Sequence, residues 1–265
     1  MADSRAGGWD SSMMVPNILM ALPDHDFDPT ESAIPWQACH NQGWNVIFST
    51  ENGAVAECDL NRLNGPLPGL LGASKKARDA YSEMRHDQAY LHPLPYDEIE
   101  PGQYHGLLLP GGDGLRVRQY LDSTVLQGKL LQFCLQGKLI GAICHGVLLL
   151  ARTIDPKTGH SVLFGRRVTA PPRWLDLVAY QLDKWLLKRG YIMYSSCVED
   201  EVRACLEQPA DLSAGRSFFT PYVVTDGNLI TSRWYLDAEL FGESFVKSMK
   251  PRIQTPASIQ THLAG

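Results

Sequence analysis

Four short apolar runs constrain this chain more than anything else in it. They are "VPNILMAL" (Val15–Leu22), "GWNVIFST" (Gly43–Thr50), "YHGLLLP" (Tyr104–Pro110) and "KLIGAIC" (Lys138–Cys144). Each has strand length, and none alternates apolar with polar as a half-exposed strand would. Such runs predict strands covered on both faces, the habit of a parallel sheet. Helix-length segments lie between them. Strand, helix, strand is the rhythm of a βαβ unit, so an α/β domain with helices on both faces of the sheet is expected.

The intervening segments carry helix signals. Thr30 is placed to cap a helix from Glu31 to about Asn41, and Ser123 one reaching about Gly137. Ala73–His86 has the charge and spacing of an exposed helix. Leu60–Gly72 is rich in Gly and Pro and reads as loop. His160–Ala170 reads as a hairpin or strand pair. Arg173–Gly190 has helical periodicity, with Leu175, Val178, Leu182 and Leu186 on one face and Gly190 as its C-cap. Asp226-Gly227 between apolar runs in Tyr222–Arg233 is a strong hairpin signal, and Ala238–Met249 closes with a helix. These readings place a single domain at 15–250, with loose tails at 1–14 and 251–265. Insertions are expected at about Leu60–Glu100 and about Pro171–Phe219.

Composition removes several classes of function. The 265 residues are 44% hydrophobic and 20% charged, an ordinary balance for a folded domain, with net charge −5. That charge does not favour nucleic acid or an anionic membrane surface. No apolar run approaches the roughly 20 residues of a membrane helix. The polar N-terminus lacks the pattern of a signal peptide. Six cysteines are scattered without paired spacing, so reduced thiols in a cytoplasmic protein are expected. There is no metal-ligand spacing, and "GGDG" lacks the form of a dinucleotide or phosphate fingerprint; neither metal nor cofactor is expected.

Chemistry concentrates where the fourth run ends. In "LIGAICHGVLLLA" (Leu139–Ala151) a cysteine stands between a strand and a helix, with Gly141, Ala142 and Gly146 as small neighbours. Strand, tight turn, helix is the geometry of a nucleophile elbow, which exposes its tip residue at the carboxyl edge of the sheet. A helix beginning near His145 would point its N-terminus at the Cys144 thiol and lower its pKa. Gly111 and Gly112 end another buried run, where close backbone approach suits an oxyanion site or an ordinary tight turn. Glu31, at the head of the first helix, is placed either to exchange a proton with the thiol or simply to favour the helix dipole.

Three segments in this order, "DFDPTESAIPW" (Asp26–Trp36), "LLLPGGDG" (Leu107–Gly114) and "GAICHG" (Gly141–Gly146), resemble the ThiJ/PfpI superfamily of class I glutamine amidotransferase-like fold. The resemblance runs from about Asn17 to Phe245. "LLGASKKARDAY" and "DGNLITSR" resemble its larger glyoxalase III and chaperone-type members. It implies a flavodoxin-like three-layer sandwich with a mostly parallel sheet, and a homodimer. Cys144 would be the nucleophile, Glu31 its carboxylate partner and His145 an acid/base. The oxyanion and binding site would use Gly112, Gly111 and Asp113 with the His145 amide. The downstream His-x-Glu pair of an amidotransferase is absent, since His262 is the only histidine after His160. Asp176 is a candidate for an assisting acid.

The activity so implied is cofactor-free conversion of 2-oxoaldehydes to 2-hydroxy acids on the cysteine. Trp36, Trp174, Trp234, Tyr235 and Arg173 are candidates for a substrate pocket, though the aromatics would be as much at home in a core or interface, and Arg173 on the surface. A large aromatic pocket would favour a hydrolase, hydratase or lyase acting on a bulkier activated carbonyl, isonitrile or unsaturated metabolite. A third expectation is a redox sensor or holding chaperone in which Cys144 oxidises.

Overall fold

The computed structural model describes residues 15–69, 72–186, 193–194, 196–217 and 219–254. The expected Gly190 C-cap and the tail residues 1–14 and 255–265 lie outside them. In chain order the elements begin with β1 (Asn17–Ala21), β2 (His25–Phe27), α1 (Pro29–His40), β3 (Asn45–Thr50), β4 (Glu57–Cys58), α2 (Leu60–Asn64), α3 (Lys75–Met84), α4 (Gln88–Leu91) and β5 (Leu94–Pro95). They continue with β6 (Gly106–Leu109), α5 (Arg118–Leu121), α6 (Thr124–Leu135), β7 (Leu139–Ile143), α7 (Val147–Arg152), α8 (Arg173–Leu186), α9 (Val198–Cys205), β8 (Val223–Asp226), β9 (Leu229–Ser232) and α10 (Ala238–Gln254).

Seven strands form one sheet in the order β5-β3-β1-β6-β7-β9-β8. All neighbours are parallel except β8, which pairs antiparallel with β9 through the Asp226-Gly227 turn. Alternate residues of each buried run serve opposite faces, as the pleat requires. Ile18 and Met20 join the core under α1, α3 and α10, while Leu19 and Ala21 join the core under α6 and α7. The result is a three-layer sandwich with a mostly parallel centre. Gly141 brings α10 close, since a Cβ there would lie 2.9 Å from Phe241 and 3.0 Å from Phe245.

Several expectations are corrected. The cap of α1 is Asp28, not Thr30: Pro29 takes the first helical position, and Asp28 accepts from the amides of Thr30 and Glu31, an arrangement that suits a proline at the helix start. Leu60–Asn64 is helical, capped by Asp59. His160–Ala170 contains no hairpin; only isolated bridges form, Ile154 with Ser161 and Val168 with Leu212. On α8, Leu175 is half-buried but Val178 is exposed, as are Trp174 and Leu177. The last helix runs through Pro251 to Gln254, beyond the boundary expected at 250. Among the described residues no helix is long and apolar enough to cross a membrane, and no group of three or more His, Cys, Asp or Glu is placed to hold a metal ion.

The second insertion is tied to the sandwich by two arginines. Arg152 of α7 forks onto Glu201 of α9, bonds Asp122 and the Tyr194 hydroxyl, and lies 4.3 Å from the Tyr194 ring centre. Arg233, at the end of β9, is fully buried. Its side-chain donors reach both carboxylate oxygens of Asp237 and the carbonyls of Ala214, Ser217 and Thr220. Asp237 accepts in addition from the amides of Arg233 and Tyr222. All five guanidinium N–H groups are thereby used.

Candidate active site

The corner after β7 is sharp because its tip residue leaves the extended region abruptly. Ile143 is extended at φ −125° and ψ 141°, whereas Cys144 has φ 59°. For a residue with a side chain that conformation costs about 1–3 kcal/mol. A one-turn 3₁₀ helix, Cys144–Gly146, leads into α7. Gly146 permits the turn, because a Cβ there would lie 2.9 Å from the Pro110 carbonyl oxygen.

The expected lowering of the Cys144 pKa is not what this corner produces. α7 is only six residues long, too short for a large terminal dipole. Burial pushes the thiol well up, and the neighbouring Glu31, Asp28 and Asp113 carboxylates push it the same way. Burial first, and those neighbouring charges after it, govern this sulfur rather than a helix end.

Two side chains meet the thiol. The His145 ring turns back so that its Nδ1 lies 3.5 Å from Cys144 Sγ, although the two are neighbours in sequence. Glu31, in the first turn of α1, packs with the thiol-bearing residue around Gly111, where a Cβ would lie 2.8 Å from both Glu31 Oε2 and Cys144 Cβ. It is 2% exposed. Its Oε2 is buried without a hydrogen-bond partner and faces Gly111, where a Cβ would sit 2.8 Å away. Burial first, and then the Asp28 charge, hold the Glu31 carboxyl far above the ordinary range.

Glycine is required where the loop after β6 meets this pair. A Cβ on Gly111 would also lie 2.8 Å from both Cys144 Cβ and the His145 amide nitrogen. Gly112 has φ 152° and presses against the Asp26–Asp28 backbone. The Asp28 amide donates to the Gly111 carbonyl at 3.0 Å. Ion pairs hold the loop from both flanks. Asp113 pairs with Arg62 of α2, and Arg116 forks onto Asp26 at 3.1 and 2.9 Å. Asp26 itself has φ 66°.

Other residues singled out from sequence fall into two groups. Asp176, in the first turn of α8, is raised by burial, while the charge of His145 pulls it back down; it accepts from the Val198 amide at 2.9 Å. Tyr235 follows β9, the strand beside β7. Burial raises its hydroxyl to about 12, with Asp28, Arg62 and Glu31 all acting on it, so it belongs to this cluster. Trp234 is buried and packs on the Tyr235 ring at 4.8 Å.

Trp36 does not line the cluster. It is 1% exposed, belongs to the core under α1, and stacks on His40 at the far end of that helix. Trp174 is 46% exposed. Arg173 pairs with Asp200 at 3.4 Å and its amide donates to Glu199, which makes it a link between α8 and α9. The residues missed from sequence are Asp28 and Arg62. Asp followed by Pro and, two residues on, Glu is a helix-start signature that could have found Asp28; nothing local marks Arg62.

Comparison with known proteins adds an independent view. The description "ThiJ/PfpI family-like" matches residues 22–204. An uncharacterized protein of Schizosaccharomyces pombe is 28% identical over 43% of this chain. The match spans only 43% of that relative's own length. Glyoxalase 3 of Candida albicans is 20% identical over 76% of this chain and 80% of its own. A crystal structure of glyoxalase III from the same organism superposes with a TM-score of 0.67 at 16% identity, covering 88% of this chain and 97% of that one. Deglycase PfpI of Pyrococcus furiosus is 24% identical over 64% of this chain and 89% of its own.

Proposed function

The chain belongs to the ThiJ/PfpI family, and from that premise we propose that it is a cysteine-dependent, cofactor-free enzyme of glyoxalase III type. The observation that carries this reading is the pair of acid/base groups beside one strained cysteine: the buried Glu31 carboxyl against the same Gly111, and the His145 ring at 3.5 Å from the sulfur. The names of the Candida albicans and Pyrococcus furiosus relatives support it.

In this reaction the Cys144 sulfur attacks the aldehyde carbon of a 2-oxoaldehyde. The carbonyl oxygen takes up a proton, and a hemithioacetal forms. Glu31 or His145 removes the C1 proton to give an enediol and returns a proton to C2. C1 is oxidised, C2 is reduced, and no outside electron carrier is needed. Water then cleaves the thioester, releasing the 2-hydroxy acid and restoring the thiol. The Gly112 and His145 amides would receive the oxyanion. Asp176 would orient His145 through its charge.

A second reading, hydrolysis or hydration of a larger activated carbonyl, is favoured by one observation. Arg62 and Tyr235 bring a cation and a phenol to the Glu31 side of the thiol, more recognition than a three-carbon aldehyde requires. The decisive experiment follows methylglyoxal consumption and lactate formation without glutathione, in the native chain, Cys144→Ala and Glu31→Gln. Turnover abolished in Cys144→Ala and reduced at least about a hundredfold in Glu31→Gln is expected. A folded native chain that makes no lactate removes the glyoxalase reading and leaves the second, to be pursued with larger carbonyl substrates.

A further inference from the structure

We propose that Arg62 and Asp113 are a positioning pair, through which α2 grips the glycine loop after β6 and fixes the Gly111–Gly112 backbone against Cys144. The role rests on the reading of that backbone as part of an oxyanion site, but on no particular substrate.

The loop cannot hold itself. From Gly111 to Gly114 it reads Gly-Gly-Asp-Gly, so Asp113 carries its only side chain. Glycine loses more conformational freedom on folding than any other residue, and Gly112 sits at φ 152°. Yet the loop must sit closely. A Cβ on Gly111 would lie 2.8 Å from Cys144 Cβ, the His145 amide nitrogen and Glu31 Oε2, so its backbone already fills the space beside all three. A small shift there would reshape the place where a carbonyl oxygen settles.

The one available handle is held. Arg62 Nε donates to Asp113 Oδ1 at 3.3 Å, and its Nη2 donates to Oδ2. Such a fork fixes angle as well as distance. The two side chains are 15% and 26% exposed, so the pair is less screened than one on the open surface. Arg62 is anchored in turn. Asp59 caps its helix by accepting from the Asn61 amide at 2.8 Å. The Asp59 amide donates to the Phe27 carbonyl at 2.9 Å, and the Arg62 carbonyl accepts from the Ala73 amide at 2.6 Å. The grip therefore runs from β2 through α2 to Asp113. On the near side of Gly112, the Asp28 amide donates to the Gly111 carbonyl at 3.0 Å. Because that peptide is planar and trans, its other end, the Gly112 N–H, points away from Asp28. Gly112 is thus fixed between two points, one on each flank.

The test compares two reactions of Cys144 on the full chain, each read by mass spectrometry of the Cys144 peptide. With p-nitrophenyl acetate the sulfur bonds to the carbonyl carbon and the carbonyl pair moves onto oxygen. Collapse of that oxyanion expels p-nitrophenolate. With iodoacetamide the sulfur displaces iodide, and no oxyanion forms. A change in the ionisation of the sulfur alters both reactions, whereas a displaced loop alters the first. Asp113→Ala removes the handle; Arg62→Lys keeps the cation but not the fork. Acetylation relative to alkylation should fall about ten- to hundredfold in Asp113→Ala, and about three- to tenfold in Arg62→Lys. Arg62→Lys carries the test alone if Asp113→Ala does not fold. An unchanged ratio overturns the role. So does a ratio that rises in Asp113→Ala, the result expected if the Asp113 charge only opposed the oxyanion. A native chain that is alkylated but not acetylated overturns the role and leaves the nucleophile standing. No reaction of Cys144 with either reagent removes the nucleophile and this role together. The expected fall in a chain that does not turn over methylglyoxal supports the role and removes the glyoxalase reading alone.

Discussion

Adjacent strands of this sheet end in two buried charged clusters built on opposite principles. After β9, Arg233 and Asp237 satisfy each other: every guanidinium N–H has an acceptor, and both carboxylate oxygens have donors. After β7, Glu31, Asp28 and Asp113 crowd acids around a thiol, with one carboxyl oxygen left without a partner. Burial is similar at the heart of both. Saturation separates them. A completed network holds the backbone of Ala214, Ser217, Thr220 and Tyr222 in place, whereas an incomplete one stores proton affinity that chemistry can use.

The largest way to break this comparison is to unpair the saturated cluster. Arg233→Met should cost about 3–5 kcal/mol, because the buried Asp237 would lose its countercharge and keep only the amides of Arg233 and Tyr222 as donors. Urea denaturation measures it. A loss below about 1 kcal/mol would mean that the network is not structural.

Removing charge from the unsaturated cluster should do the reverse. Glu31→Gln is expected to stabilise the fold by about 1–2 kcal/mol near neutral pH, while reducing activity. The sign follows from linkage. Glu31 and Asp28 hold their protons more tightly when folded than at their ordinary values of 4.5 and 3.8. Their contribution is therefore complete below about pH 4 and is lost as pH rises through the folded values, about 6 for Asp28. Native stability should fall over that window, and Glu31→Gln should flatten the fall. Melting temperatures from pH 4 to 8 check this; a Glu31→Gln variant less stable than native at pH 7.5 would contradict it.

The smallest effect sets the floor. Lys75 and Asp79 form an exposed pair at 2.5 Å on α3. Lys75→Ala should shift stability by less than about 0.5 kcal/mol. A larger shift in the same denaturation assay would show that proximity matters apart from burial.

The contrast also explains what can be read without coordinates. The sheet is legible because each covered strand appears as an unbroken apolar run, a signal carried by adjacent residues. Cys144, His145 and Gly111 sit at the ends of such runs, so their place at the sheet's edge follows from the runs themselves. Trp36 follows Glu31 by about one turn, which suggests the pocket, but sequence spacing does not say which side of α1 a buried ring occupies. Arg62 and Tyr235 reach Glu31 only because α2 folds over the loop after β6 and β9 lies beside β7. That closeness belongs to the topology. The thiol's pKa escapes a sequence reading for a related reason: the helix end is local, while the acids opposing it arrive from separate segments.

The left-handed torsion at Cys144 has a consequence for how such a chain would drift. Glycine would occupy that corner with less strain than any residue bearing a side chain. A descendant released from using the thiol would become sturdier by losing it. Decay of activity in this scaffold would then leave no mark of misfolding, and an inert copy would be harder to unfold than its working ancestor.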